Sequence, residues 1–241
     1  MLSKINEEMK SSRKLKADLH IHTQEDPEDK VEYTAKELID EASRQKFDVL
    51  AITNHNLITY DDYLKKYALD KGILLIPGIE LKVEGKHIIL LGVNDRGERE
   101  MRTLEELRYY KNESSLIIAP HPYFPMFASL GAKLDQYIHI FDAVEYTHFY
   151  FKGINFNRKA ERKARKYNLP LLGVSDAHLL RQFGLTYSLI DAEKTPQGIV
   201  RAIKENKVEI VTRPIKFEWR NIILSLKHMI PQGLNLRDRV F

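Results

Sequence analysis

Along most of the chain, short runs rich in Val, Ile and Leu alternate with longer amphipathic segments, and no other feature restricts the fold as tightly. The strand candidates are ADLHIH (17–22), FDVLAIT (47–53), ILLIPGIELKV (73–83), HIILLGV (87–93), LIIAPH (116–121), FDAVEY (141–146), LPLLGVS (169–175), LTYSLID (185–191) and VEIVT (208–212). Between them lie the helix candidates YTAKELIDEASRQK, YDDYLKKYALDK, TLEELRYYKNE, NRKAERKARKYN and TPQGIVRAIKENK. The last starts with Thr195 as N-cap and Pro196 at the first helical position. Strand, helix and strand repeated this often predict an α/β chain with a parallel sheet covered on both faces. Such a sheet is either closed as a barrel or open and doubly wound, and the glycine-rich nucleotide turn G-x-G-x-x-G is absent.

No low-complexity stretch, long Gly/Ser linker or exact repeat interrupts the pattern, so a single domain over residues 1–241 is expected. Residues 213–241 form a basic C-terminal extension. Within it IKFEWRNIILSLKHMI (215–230) reads as an amphipathic packing helix, with Trp219, Ile222, Ile223, Leu226 and Ile230 on one side. Net charge is +4, and from Arg213 onward six basic side chains face two acidic ones, which leaves the preceding residues neutral. A charge excess confined to a tail lacks the body-wide basic stripe of a nucleic-acid binder, so nucleic acid is not the favoured partner. No apolar run reaches the roughly 20 residues that cross a bilayer. The amino-terminal MLSKINEEMKSSRKLK lacks the apolar core of a secretory signal, so a cytoplasmic protein with no membrane partner is expected.

The chain has no cysteine, which excludes disulfides, thiol nucleophiles and thiolate zinc sites. Any metal must be held by His, Asp, Glu or water. In DLHIHTQEDPED (18–29), His20 and His22 are two apart in a predicted strand and project side by side, with Leu19 and Ile21 facing the opposite layer. Two imidazoles so placed close on one metal at about 2.0–2.1 Å. The other strands extend the pattern: His55 follows VLAIT, Glu80 follows LLIPGI, His87 leads HIILLG, His121 follows LIIAP, and Asp176 and His178 follow LLGVS. Six of nine histidines therefore stand at strand edges, five of them at or near carboxyl ends. In a β/α barrel those ends meet on one face, where active sites are built. Ordinary core histidines would not track strand ends, so the set reads as a metal cluster. His139 and His228 read as surface or packing residues, whereas His148, in EYTHFYF, fits either role.

The motifs DLHIH (18–22), AITNHN (51–56), PGIE (77–80), APHP (119–122) and GVSDAH (173–178) resemble, in order, those of the PHP family, named for polymerase and histidinol phosphatase domains. The resemblance spans about the first three quarters of the chain. It implies a distorted (β/α)7 TIM-like barrel whose mouth holds two or three divalent ions (Zn, Mn or Fe) and hydrolyses phosphoesters. It further implies that His20, His22, Glu80 and Asp176 hold one metal and that Glu80 bridges to a second, completed by His87 and His121. A third would take His55 and His178 with one acid of the first loop, Asp26 before Glu25 or Asp29. Two positions depart from the family pattern. Asn54 stands where many relatives carry Asp, and Pro27 stands where small phosphoesterases often carry Asp.

The expected chemistry is attack of a metal-bridging hydroxide on a small phosphorylated metabolite or nucleotide. The third metal, or His178 where that site is empty, would stabilise or protonate the departing alkoxide, and Arg181 would clamp a nonreacting phosphate oxygen, with Lys152 and Arg158 as weaker candidates of the same kind. The aromatic loops PHPYFPMF and EYTHFYF either pack on the barrel or stack a nucleobase. The alternatives are a nuclease of the same barrel family, an amidohydrolase, or a non-catalytic scaffold barrel. An amidohydrolase would bridge its metals with lysine where this chain offers Glu80, and a scaffold should have lost ligands that are all retained here.

Overall fold

The computed structural model describes residues 13–94 and 100–215, so His228 and all but the first residue of the expected tail helix lie outside the described residues. The strands are β1 (Leu15–Asp18), β2 (Val49–Ile52), β3 (Leu74–Val83), β4 (Lys86–Leu91), β5 (Leu116–Ala119), β6 (Ala143–Thr147), β7 (Tyr150–Phe151), β8 (Ile154–Asn155), β9 (Leu171–Val174), β10 (Thr186–Ile190) and β11 (Val208–Thr212). The helices are α1 (Ala35–Arg44), α2 (Asp62–Asp70), α3 (Lys133–Tyr137), α4 (Asn157–Tyr167) and α5 (Pro196–Lys204). One sheet has the order β11-β10-β1-β2-β3-β4-β5-β6-β9, and β7 and β8 form a separate hairpin.

The sheet curls until its far edge meets its beginning. Beyond β1 and β9 the backbone continues as a bridge between Ile21 and Ala177, with Asp176 N–H donating to His20 O at 2.8 Å and His22 N–H to Ala177 O at 3.3 Å. Ser188 Oγ of β10 donates to Gly173 O of β9 at 2.9 Å. A Cβ on Gly173 would stand 2.6 Å from Tyr187 O, so this seam requires glycine. The result is the expected distorted, nearly closed barrel.

The distortion corrects the expectation of an all-parallel sheet. Pairs β1/β2, β2/β3, β5/β6 and β6/β9 are parallel, but β3/β4, β4/β5, β1/β10 and β10/β11 are antiparallel. The cause at β3/β4 is local. Glu84 and Gly85 both take positive φ, 48° and 72°, and close a two-residue hairpin in place of a crossover helix. The segment TLEELRYYKNE, expected as an α-helix, forms a 3-10 turn over Glu105–Tyr110. The expected cap of α5 is present: Thr195 Oγ1 accepts from Gly198 N–H, and Pro196 opens the helix. In α1 a capping box joins Thr34 and Glu37, and Leu38, Ile39 and Ala42 form its buried stripe.

Period-2 alternation sorts each strand into an inner and an outer row. Val49, Ala51, Ile76, Ile89, Leu91, Ile118, Ala143, Leu172 and Val174 form one buried cluster inside the barrel. Their sequence neighbours Leu50, Ile52 and Leu75 pack with α1 and α2, and Ile117, Ala119 and Val144 pack with α4. Because β10 runs antiparallel to β1, the chain leaves Ile190 at the end opposite the mouth. There Ile199, Val200, Ala202 and Ile203 of α5 join the inner cluster. Each large aliphatic side chain buried this way contributes roughly 1.5–3 kcal/mol, so α5 is a firm plug for that end.

Candidate metal centre

The inner rows set the site. Continuing the inward-facing alternation past the apolar layer, Ala51 leads to His55, Ile76 to Glu80, Ala143 to Glu145 and Val174 to Asp176. In β4, which runs downward from the mouth, Ile89 leads back to His87. This explains how a histidine at an amino end joins residues at carboxyl ends. His121 and the His20/His22 pair depart from the inner rows. His121 has φ 26°, and Asp176 has φ 47°; the positive φ at both turns marks backbone held by its surroundings. Leu19 joins the inner cluster and Ile21 the α1 side, so these two do not share one layer as the sequence reading had it.

Four ligand-type atoms converge at the centre of the mouth. His20 Nε2 and His22 Nε2 are 3.1 Å apart, each lies 3.4 Å from Asp176 Oδ1, and Glu80 Oε2 lies 3.4 Å from the first and 3.2 Å from the second. A tetrahedron whose corners are about 2.0–2.1 Å from a central ion has edges of about 3.3 Å. The hydrogen positions follow from the partners. His20 Nδ1 faces both oxygens of Glu145 at 2.9 and 3.1 Å, and His22 Nδ1 faces Asp26 Oδ2 at 2.8 Å. Carboxylates only accept, so both Nδ1 atoms carry a hydrogen, and in the neutral rings both Nε2 atoms turn lone pairs inward. With both rings neutral, four acceptors meet at one point, an arrangement that suits a cation; in the metal-free chain protons take that place, as the raised His20 and His22 values express.

The second oxygen of Glu80 opens a neighbouring group. His87 Nδ1 lies 2.9 Å and His121 Nε2 3.2 Å from Glu80 Oε1, and His55 Nε2 lies 3.1 Å from Oε2. His87 Nδ1 is buried and makes no aligned hydrogen bond despite that short distance, as an imidazole sharing a cation with Glu80 would. On the open side, His178 Nε2 pairs with Asp29 Oδ2 at 2.8 Å, and His55 Nδ1 lies 3.8 Å from the same oxygen.

Electrostatics express the crowding of carboxylates. Burial alone would lower the His20 imidazole, but Glu145, Asp176 and Glu80 hold it well above its ordinary value. Burial is likewise overcome at His55, which Glu80 and Asp26 push up to about 9. Burial would raise Glu80, yet His87, His20 and His55 hold it well below the usual carboxylate range. At His87 burial prevails and the imidazole is lowered. His148 differs: buried and donating from Nδ1 to Ser175 O, it is pulled down to about 4 by desolvation.

A family model for the PHP domain matches residues 18–168, and a second, PHP-associated, matches 155–208. The chain belongs to the PHP domain family. It is 31% identical over 129 residues, 50% of this chain and 75% of the relative, to an uncharacterized protein of Methanocaldococcus jannaschii. Among solved structures, a two-domain protein of Bacteroides vulgatus containing a predicted PHP-like metal-dependent phosphoesterase superposes with TM-score 0.66 at 20% identity, covering 89% of this chain and 69% of that one. The lesion-specific endonuclease PfuEndoQ of Pyrococcus furiosus superposes with TM-score 0.62 at 18% identity, covering 91% and 67%.

As a PHP domain the chain brings His20, His22, Asp26, His55, Glu80, His87, Asp176 and His178 to one mouth, where the groups His20/His22/Glu80, His22/Asp26/His55, His22/Asp176/His178 and His55/Glu80/His87 could each hold an ion; His121 belongs to none of these groups and meets the cluster through Glu80 Oε1 at 3.2 Å. Asp26 is fully engaged: Oδ2 accepts from His22, from the His55 ring and from His55 N–H, while Oδ1 accepts from Glu28 and Asp29 N–H. Glu25 points elsewhere and caps α1 through Ala35 N–H. The Asn54 side chain braces the first loop, accepting from Thr23 N–H and donating to Thr23 Oγ1 and Thr59 Oγ1. Arg181 is exposed on the Leu180–Gln182 turn, outside this hydrogen-bonded cluster, and Lys152 and Arg158 are exposed as well. The sequence reading missed Glu145. Its signal was the alternation in FDAVEY, where Ala143 faces in, Val144 out and Glu145 in. Among the described residues, no helix is long and apolar enough to cross a membrane.

Proposed function

We propose that this chain is a metal-dependent phosphoesterase acting on a small phosphorylated metabolite or nucleotide. The observation that carries the reading is the convergence of His20 Nε2, His22 Nε2, Glu80 Oε2 and Asp176 Oδ1 with separations of 3.1–3.4 Å, both Nδ1 atoms being engaged elsewhere. In this reading His20, His22, Glu80 and Asp176 hold one ion, and Glu80 with His87 and His121 holds a second. Asp26, His55 and His178 serve a third position, with Asp29 at its open edge. Divalent ions held there would supply positive charge for the phosphoryl oxygens and acidify a water for in-line attack.

The chain's own groups then divide the remaining work. Asp26 and Glu145 fix the tautomers of His22 and His20. Where the third position is empty, His178, which stands between the cluster and solvent with Nε2 on Asp29, is the group placed to protonate the leaving oxygen. Arg181, three residues farther on, supplies a guanidinium for a nonreacting phosphate oxygen. The buried inner wall keeps bulk water from the face of the cluster opposite the substrate.

A second reading, cleavage of a phosphodiester in nucleic acid, draws support from the fold shared with endonuclease Q. It also draws on Phe127, which is 83% exposed, with Lys86 Nζ 4.8 Å from its ring. Elemental analysis of the purified protein, with hydrolysis of a panel of phosphomonoesters, phosphodiesters and oligonucleotides by wild type and His20→Ala, tests both. Bound metal and metal-stimulated release of phosphate, lost in His20→Ala, are expected. Neither metal nor activity on any ester would overturn the enzyme reading, and oligonucleotide cleavage without phosphate release would establish the second.

A further inference from the structure

Glu145 stands in the inner row of β6, fully buried, and no motif of the site includes it. Its Oε1 and Oε2 lie 2.9 and 3.1 Å from His20 Nδ1, and Oε2 also accepts the backbone N–H of His121 at 3.1 Å. His20 belongs to the first group of ligands and His121 to the second. One carboxylate therefore fixes the tautomer of an imidazole in one group and the backbone position of an imidazole in the other, where φ is 26°. Glu80 joins the same two groups from the opposite side, through Oε2 to His20 and Oε1 to His121.

We infer that Glu145 is a positioning residue that couples the two metal positions, so that filling one prepares the other. The inference rests on the metal reading of the cluster. An ion held at His20 Nε2 would fix that ring and, through its Nδ1–H, the Glu145 carboxylate. That carboxylate then holds His121 N–H, and with it the His121 ring, where the second ion needs it. Groups that orient a metal-bound histidine typically change metal affinity 10- to 100-fold when removed. Here the loss should fall on both positions, because the same oxygen serves both. A side chain that merely filled space would leave the shape of the binding curve unchanged.

The test is titration of chelator-treated full-length protein with Co²⁺, read by visible absorption and by isothermal calorimetry, for wild type, Glu145→Gln and Glu145→Ala. Wild type should bind two or more ions with positive cooperativity. Glu145→Ala should bind each of the first two ions about 10- to 100-fold more weakly and without cooperativity. Glu145→Gln keeps the acceptor oxygen and loses the charge, so it should keep the cooperativity at reduced affinity. This variant also decides the matter should Glu145→Ala not fold. Binding by Glu145→Ala as tight and cooperative as wild type, or weakening at one position alone, would overturn the inference while leaving the metal reading intact. Cooperativity lost in Glu145→Gln would overturn it as well. If wild type itself takes up no Co²⁺, both fall together.

Discussion

His178 Nε2 and Asp29 Oδ2 are 2.8 Å apart although 149 positions separate them in the chain. The contact ties the loop after β9 to the acid-rich loop after β1, at the side of the mouth that remains open to solvent. If His178 delivers a proton to the leaving group, Asp29 sets the direction of that transfer. Asp29→Ala should lower kcat roughly 10- to 100-fold on esters with alkoxide leaving groups, and much less on nitrophenyl esters that need no proton. Steady-state kinetics across leaving groups of graded basicity checks this, and an equal loss on all esters would count against the assignment.

Glu80 offers one oxygen to His20, His22 and His55 and the other to His87 and His121. Glu80→Gln removes the charge that lies between both groups. Metal content should fall at both positions, and activity should drop by at least about 100-fold. Elemental analysis beside activity measures it; a variant that keeps its full metal complement would show that Glu80 is not the bridge.

The pH dependence of stability should invert between metal-free and metal-loaded protein. In the metal-free chain His55 is pushed up to about 9 from an ordinary value of 6.5. A raised folded-state value stabilises fully below about pH 6.5 and is lost as pH rises through about 9, a contribution on the order of 3 kcal/mol. Chelator-treated protein should therefore lose stability between pH 6.5 and 9. Metal-loaded protein should hold or gain stability over the same range, because protons compete with the ion for the same lone pairs. Thermal unfolding at matched pH values, with and without chelator, distinguishes the two.

Gly173 tests barrel closure apart from chemistry. A methyl there meets Tyr187 O at 2.6 Å and Ile210 Cγ2 at 2.8 Å, so Gly173→Ala must push β9 from β10. A destabilisation of about 1–3 kcal/mol is expected by urea unfolding. Weaker metal binding should accompany it, since Asp176 and His178 follow β9.

Much of the centre was legible in the linear chain because barrel geometry maps carboxyl strand ends onto one face. His20 and His22 announced themselves by their spacing of two in a strand, and His55, Glu80, His121, Asp176 and His178 by following an apolar run. His87 was legible as a candidate, but its position had no reason until β4 turned out to run antiparallel through the Glu84-Gly85 hairpin. Asp26, Glu25 and Asp29 could not be separated by spacing, because a loop has no fixed period. Only the fold shows Glu25 capping α1, Asp26 holding His22 and His55, and Asp29 meeting His178. Glu145 lay hidden in FDAVEY because one acid in a strand carries no pattern by itself.

What the sequence by itself determined was which apolar strand residues share a row, since period-2 alternation is a property of the strand alone, and that any metal must rest on nitrogen and oxygen, since no cysteine is present. The tertiary structure decided which atom meets which. The Nε2 pair of His20 and His22 at 3.1 Å, the doubly shared Glu80 and the Glu145 brace depend on strand order, on antiparallel turns and on the left-handed backbone at His121 and Asp176. These are long-range packing outcomes that no local stretch of sequence can encode.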